Sequence, residues 1–239
     1  MKTLLITGAT SGIGKSLAEH AADRGYKVIA CGRNEEALTS LAIHENISPC
    51  QFDVSNLEDT KKALSDVEFD IAVLNAGTCE YVDIEEFEAD MFRRVFEPNF
   101  FGVVNCVDAF VNKLKKGDKL VIVDSMARLL PFTRSQAYGA SKAALHYFTK
   151  SLEVDLHDRG VKVQAVSPGF VETPLTDKND FDMPMKITAE EAARSMLEGI
   201  EGNKRTIFFP KMFGYILRFM NLLPSGLQTR LSLSMRNEK

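Results

Sequence analysis

Five residues rich in strand formers, Thr3-Leu4-Leu5-Ile6-Thr7, run directly into Gly8-Ala9-Thr10-Ser11-Gly12-Ile13-Gly14. Beyond them the apolar residues Ile13, Leu17 and Ala21 recur at helical spacing. A strand, a glycine turn and a helix in that order restrict the fold more than any other stretch. The glycines permit a tight turn and close backbone approach, and the helix start presents free N–H groups to an anion. This is the setting in which a dinucleotide pyrophosphate binds, although the spacing is Gly-x-x-x-Gly-x-Gly rather than Gly-x-Gly-x-x-Gly. As a bare pattern it would also suit a flexible loop; the flanking strand and helix favour the cofactor reading.

The alternation that begins there continues almost to the end. Strands are predicted at Thr3–Thr7, Lys27–Cys31, Pro49–Phe52, Ile71–Asn75, Lys119–Val123, Lys162–Ser167 and Thr206–Phe209. Several are continuous Val/Ile/Leu runs, as expected where helices cover both sheet faces. Helical patterns fill most gaps, with long ones near Phe87–Leu114 and Tyr138–His157, and Thr188-Ala189-Glu190-Glu191 reads as a capping box. The expected fold is α/β: one Rossmann-type domain over residues 1–239, a doubly wound parallel sheet of about seven strands flanked by helices.

Composition narrows the function. A chain of 239 residues with 45% hydrophobic content can bury a large core, and its net charge of −4 offers no basic field for nucleic acid. Cys31, Cys50, Cys79 and Cys106 lie far apart and read as reduced thiols of a cytoplasmic protein. Met1 and Lys2 lead straight into a core strand, no signal peptide is expected, and no apolar run approaches a membrane span of ~20 residues. His20, His44, His146 and His157 are dispersed, so no metal site is expected.

The chemistry is carried by Tyr138-Gly139-Ala140-Ser141-Lys142, thirteen residues beyond Ser125. Tyrosine and lysine four apart share one helix face, so phenol and ammonium can meet the same bound molecule. A free phenol titrates near ~10, and a nearby cation would lower that value and make the tyrosine a usable acid/base. At the end of the second strand, where an acidic residue would bind the ribose 2′-hydroxyl of NAD, Gly32 stands instead, with Arg33 next to it. Arginine pairs well with a 2′-phosphate, so NADP(H) is favoured over NAD(H); a solvated surface arginine is the alternative. Asp53 is a partner for adenine or a simple turn residue.

Together these residues resemble the short-chain dehydrogenase/reductase family over essentially the whole chain. The matches are Thr7–Gly14, Asp53-Val54, Leu74-Asn75-Ala76-Gly77, Asn99 within Pro98-Asn99-Phe100-Phe101-Gly102, Ser125, Tyr138 with Lys142, and Pro168-Gly169 followed by Val171 and Thr173. The resemblance implies a homodimeric or homotetrameric oxidoreductase that interconverts a ketone or aldehyde and an alcohol. It assigns Ser125 to orient and polarise the substrate oxygen, Tyr138 to exchange the proton, Lys142 to lower the tyrosine pKa and hold the nicotinamide ribose, and Asn99 to a water-linked relay. Gly8, Thr10, Ser11, Gly12, Ile13, Gly14, Asn75, Ala76 and Gly77 would line the cofactor groove, and Thr173 would meet the nicotinamide carboxamide. Read alone, Ser125, Asn99 and Thr173 could equally be caps or turn formers. A non-catalytic NADP sensor, or a dehydratase, dehalogenase or epimerase on the same scaffold, are the rival readings.

Asp124 and Arg128 depart from the family pattern; they could pair with each other, face solvent, or, for Arg128, touch a polar substrate. His146, one turn beyond Lys142, reads as a surface or partly buried residue, and Asp83–Asp90 as the solvated start of a helix. The resemblance makes residues 174–188 a substrate lid, whose Leu175, Phe181, Met183 and Met185 suggest an adaptable apolar wall. The tail (207–239) is apolar nearly all round between Met212 and Leu223, either packed on core or sister subunit or resting on a membrane.

Overall fold

Period-two alternation along the strands decides how the layers form. In β1 (Thr3–Thr7), Leu4 and Ile6 enter one hydrophobic cluster and Leu5 the other; in β4 (Ile71–Leu74), Ile71 and Val73 separate likewise from Ala72 and Leu74. Both sheet faces are therefore apolar and both need helices. In this computed structural model, which describes residues 1–235, α1 (Gly12–Asp23), α2 (Glu35–Leu41) and α7 (Ala189–Glu201) cover one face, with Leu17, Leu38 and Met196 buried. The other face is covered by α3 (Leu57–Leu64), α5 (Gly102–Phe110) and α6 (Gln136–Asp155), through Leu64, Phe110 and Leu145.

The remaining strands are β2 (Lys27–Gly32), β3 (Ile47–Gln51), β5 (Lys119–Val123), β6 (Lys162–Pro168) and β7 (Thr206–Phe209). All seven pair in parallel in the order β3-β2-β1-β4-β5-β6-β7, so the expected doubly wound sheet is borne out. The order reverses between β1 and β4, and the crevice at their carboxyl ends is where such sheets bind ligands. α7 opens on the expected capping box, with Thr188 Oγ1 accepting from Glu191 N at 3.1 Å and Thr188 N donating to Glu191 Oε2 at 3.0 Å.

Two expectations change. The long helix near Phe87–Leu114 is α4 (Ala89–Phe96), a π-helical turn at Glu97–Phe101 and then α5. Pro98 has no N–H to give and crowds the preceding turn, which widens the helix there and sets Asn99 in the bulge. The tail is not uniformly buried. α8 (Lys211–Asn221) packs Leu217 and Phe213 inward, exposes its other side, and is followed by α9 (Ser225–Ser234) with no buried residue. Residues 236–239 of the expected tail lie outside the described residues.

Candidate active site

The glycine turn after β1 forms the floor of the crevice. Gly8 has φ +67, and a Cβ there would lie 2.8 Å from Ala76 Cα, so only glycine lets the two loops approach this closely. Thr7 and Asn75 fasten them. Thr7 Oγ1 accepts from Asn75 N and Ala76 N at 3.0 and 3.1 Å, and Asn75 Nδ2 donates to Thr7 O and Gly8 O at 3.2 and 3.3 Å. Ser11 caps α1 in an extended conformation without a side-chain bond to it, which leaves the helix start open to an anion. A groove of ≈ 940 Å³ runs from Gly8–Ile13 past Gly32, Arg33, Val54 and Asn75–Thr78 to Thr173–Leu175. Its length and its free helix terminus fit a dinucleotide.

At the β2 end of the groove, a Cβ on Gly32 would lie 2.5 Å from Thr10 Cγ2. No acidic side chain fits there without displacing Thr10. Arg33 extends into the groove, exposed, with Nη1 3.4 Å from Asp53 Oδ2, and Lys62 lines the adjoining hollow with Gln51 and Phe52. Asp53 also accepts from Ser55 N at 2.9 Å, so the turn role and the groove role coincide.

At the other end, β5 delivers Ser125 and α6 delivers Tyr138 and Lys142. Ser125 caps a short 3-10 turn through Ala127 N at 3.1 Å, which fixes its hydroxyl at the strand terminus. Burial pushes the Tyr138 hydroxyl well up, the neighbouring Cys79 and Asp124 add to that, and its hydrogen bond with Ser125 opposes it. The expected lowering by Lys142 is therefore not what governs Tyr138 in this structure. The lysine is itself pulled down to about 8 by burial, with Asp124 and Cys79 opposing. Its Nζ donates to Val123 O at 2.9 Å and lies 5.8 Å from the centre of the Tyr138 ring.

Asn99 is wholly buried and clamps the crossing: Oδ1 accepts from Thr78 N at 2.7 Å, and Nδ2 donates to Thr78 O at 2.9 Å and Ser141 Oγ at 3.0 Å. It thus ties the Gly77-Thr78 loop to the helix that carries Tyr138 and Lys142. Gly169 follows Pro168 at the end of β6, Val171 bridges to Ile187 across the base of the lid, and Thr173 faces Gly12 across the groove.

Asp124 and Arg128 pair. Arg128 Nε donates to Asp124 Oδ2 at 3.1 Å, His146 Nδ1 lies 2.6 Å from the same oxygen, and Ser167 Oγ donates to Asp124 Oδ1. The carboxylate is fully enclosed, and His146 is partly buried, one of the two places the sequence allowed it.

Sequence reasoning named Phe181 as part of a lid wall but missed its partners Tyr81 and Phe170. Tyr81 donates to Asn179 Oδ1 at 2.7 Å and packs edge-on to Phe181, which stands 6.0 Å from Phe170. Arg134 lies over the Tyr81 ring and holds Asp180 at 2.9 Å. Cys79, read as a buried core thiol, is partly buried beside this wall, its thiol pushed up to about 11 by burial while a hydrogen bond from Tyr81 and the charge of Lys142 oppose. The one cue was position, just beyond the Asn75-Ala76-Gly77 stretch. Among the described residues no group of His, Cys, Asp and Glu is arranged to hold a metal.

A nucleotide cradle at the switch point, ending at a serine, a tyrosine and a buried lysine, defines the site of a nicotinamide-type oxidoreductase. Comparison with known proteins gives the family. A family model described as short chain dehydrogenase matches residues 2–183. An uncharacterized oxidoreductase of Myxococcus xanthus is 32% identical over 238 residues, 95% of this chain and 94% of that protein. A 3beta-hydroxysteroid dehydrogenase of Mediterraneibacter gnavus is 35% identical over 205 residues, 81% and 74% of the two chains. A short chain dehydrogenase from Burkholderia cenocepacia, solved in complex with NADP, superposes with a TM-score of 0.86 at 26% identity, covering 96% of this chain and 97% of that one. The chain belongs to the short-chain dehydrogenase/reductase family and is an oxidoreductase of it.

Proposed function

We propose that the protein is an NADP-dependent oxidoreductase interconverting a ketone or aldehyde and an alcohol, with Tyr138 as the acid/base. The observation that carries this reading is the convergence of Ser125, Tyr138 and Lys142 beside the nucleotide groove at Gly77, where a Cβ would lie 3.5 Å from Lys142 Nζ. Bound nicotinamide supplies the hydride to the carbonyl carbon, or takes it from the alcohol. Hydride addition places negative charge on the substrate oxygen, and the Ser125 hydroxyl orients and polarises that oxygen. Tyr138, held protonated by burial, is in the form that donates. Lys142 in its charged form offsets the phenolate left behind, and Asn99 keeps its helix in register with Thr78.

Preference for NADP rests on the steric exclusion of an acid at Gly32 and on Arg33 and Lys62 nearby. The NADP complex of the Burkholderia structure supports it. The wall of Tyr81, Phe170 and Phe181 suits an apolar or moderately polar substrate, in keeping with a relative named for a hydroxysteroid. A sensor would have no need of the complete catalytic set.

Fluorescence titration with NADPH and NADH tests the cofactor. Arg33→Ala should weaken NADPH about 10- to 100-fold, the range of one charge-assisted contact, and leave NADH unchanged. Tighter binding of NADH by the parent protein, or equal losses for both cofactors, would reduce Arg33 to a surface charge and overturn the NADP assignment.

A further inference from the structure

The two faces of α8 differ in what covers them. On the inner face Leu217 is buried with Met126, Leu129 and Leu130, and Phe213 packs against the same cluster. On the outer face Met212, Tyr215, Ile216, Phe219 and Leu222 recur three or four apart and form one stripe. Phe219 is 68% exposed and Leu222 82%. A contiguous apolar stripe of this kind marks an interaction surface rather than the scattered apolar residues normal on any protein.

The charge around the stripe has one sign. From Gly202 to Asn237 the sequence holds no aspartate or glutamate, yet it contains Lys204, Arg205, Lys211, Arg218, Arg230 and Arg236, in a chain of net −4. Lys211 and Arg218 sit beside the stripe on α8, and Arg230 stands on α9; all three are exposed. None of the three is in an ion pair among the described residues; Arg218 lies over the Phe208 ring, 5.1 Å from its centre, and keeps its charge exposed. A second copy seated on this face by two-fold symmetry would bring like charges together, which disfavours self-association. An apolar stripe bordered by unpaired cations matches the boundary between anionic headgroups and acyl chains. No helix of the described residues is long and apolar enough to cross a membrane, so α8 would lie on it.

We infer that the outer face of α8 docks on an anionic lipid bilayer, with Tyr215, Phe219 and Leu222 inserted and Lys211, Arg218 and Arg230 against the lipid phosphates. The inner face of the same helix reaches the substrate side, since Phe213 stands 5.7 Å from Phe170, so docking sets α8 between the bilayer and that side. The test is flotation of the full-length protein with vesicles of phosphatidylcholine alone and of equal parts phosphatidylcholine and phosphatidylglycerol. Co-flotation should occur with the mixed vesicles, fall at least tenfold with phosphatidylcholine alone, and be lost at ~0.5 M salt, where charges are screened. The double variant Phe219→Glu, Leu222→Glu should lose flotation at least tenfold with its thermal melting and NADPH titration unchanged. No flotation with mixed vesicles, equal flotation with both lipids, or equal flotation of the variant overturns the inference. So does a light-scattering mass of the lipid-free protein that halves in the variant, which would make the stripe an interface between copies.

Discussion

Two buried ionisable clusters lie side by side at the carboxyl end of β5, and they are built on opposite principles. Asp124 is enclosed with Arg128, His146 and Ser167 around it, so its charge is matched. Lys142, buried two turns away in chemistry but adjacent in space, has only the Val123 carbonyl within hydrogen-bond distance and is pulled down to about 8. Burial with partners fixes a charge and makes a scaffold; burial without a counter-ion makes a charge that titrates near working pH. The proposed chemistry uses both, with Ser125 held still while the tyrosine and lysine exchange protons and charge.

The strongest break of this comparison is on the titrating side. Tyr138→Phe removes the hydroxyl and keeps the ring, so turnover should fall about 10²- to 10⁴-fold, the range of a positioned acid/base. Cofactor affinity should stay within about twofold of the parent, since the groove at Gly8–Ile13 and Arg33 is untouched. Parent-like turnover would remove Tyr138 from the chemistry. The measurement is steady-state kinetics beside NADPH titration.

How much of each cluster could be read in advance follows from sequence distance. Tyr138 and Lys142 share a helix face by their spacing, and Gly32 declares by its missing side chain that the adenosine pocket holds no acid there. The sheet was legible for the same local reason, since each strand carries its own alternation. Asp124 was legible only as far as Arg128, four residues on, because its other partners come from the third turn of α6 and the end of β6. Nothing local says that residues 22 and 43 positions on will converge on one carboxylate. Tyr81 escaped for the same reason, as it meets Asn179 and Phe181 only through the folded lid. The bulge at Pro98 was legible in principle, since proline inside a helical pattern announces a break.

On the scaffold side, Asp124→Asn keeps the shape but removes the negative charge, leaving Arg128 without a counter-ion and His146 without its carboxylate partner. The cost should be about 3 kcal/mol, at the lower end for a broken buried pair because Arg128 and His146 retain some exposure. Urea unfolding measures it. Asp124 also supports the charged form of Lys142, so the same variant should move the lysine titration below about 8. A variant as stable as the parent would mean that the carboxylate is matched by nothing of consequence.

The smallest effect isolates the lysine. Its folded pKa lies near 8, below the ordinary lysine value of 10.5, because burial disfavours the ammonium. Between those values the unfolded chain binds more protons than the folded one, so stability rises with pH across the window. Below about 8 both states are protonated and the full penalty of burying the charge is present. From pH ~7 to ~9.5 the parent should therefore gain about 2 kcal/mol from this group. Lys142→Met fills the same space without a titrating group, so the gain should vanish in the difference between the two unfolding curves, with the variant the more stable at pH ~7. Parallel curves across that range would mean that Lys142 is not starved of counter-charge, and the contrast between the two clusters would collapse.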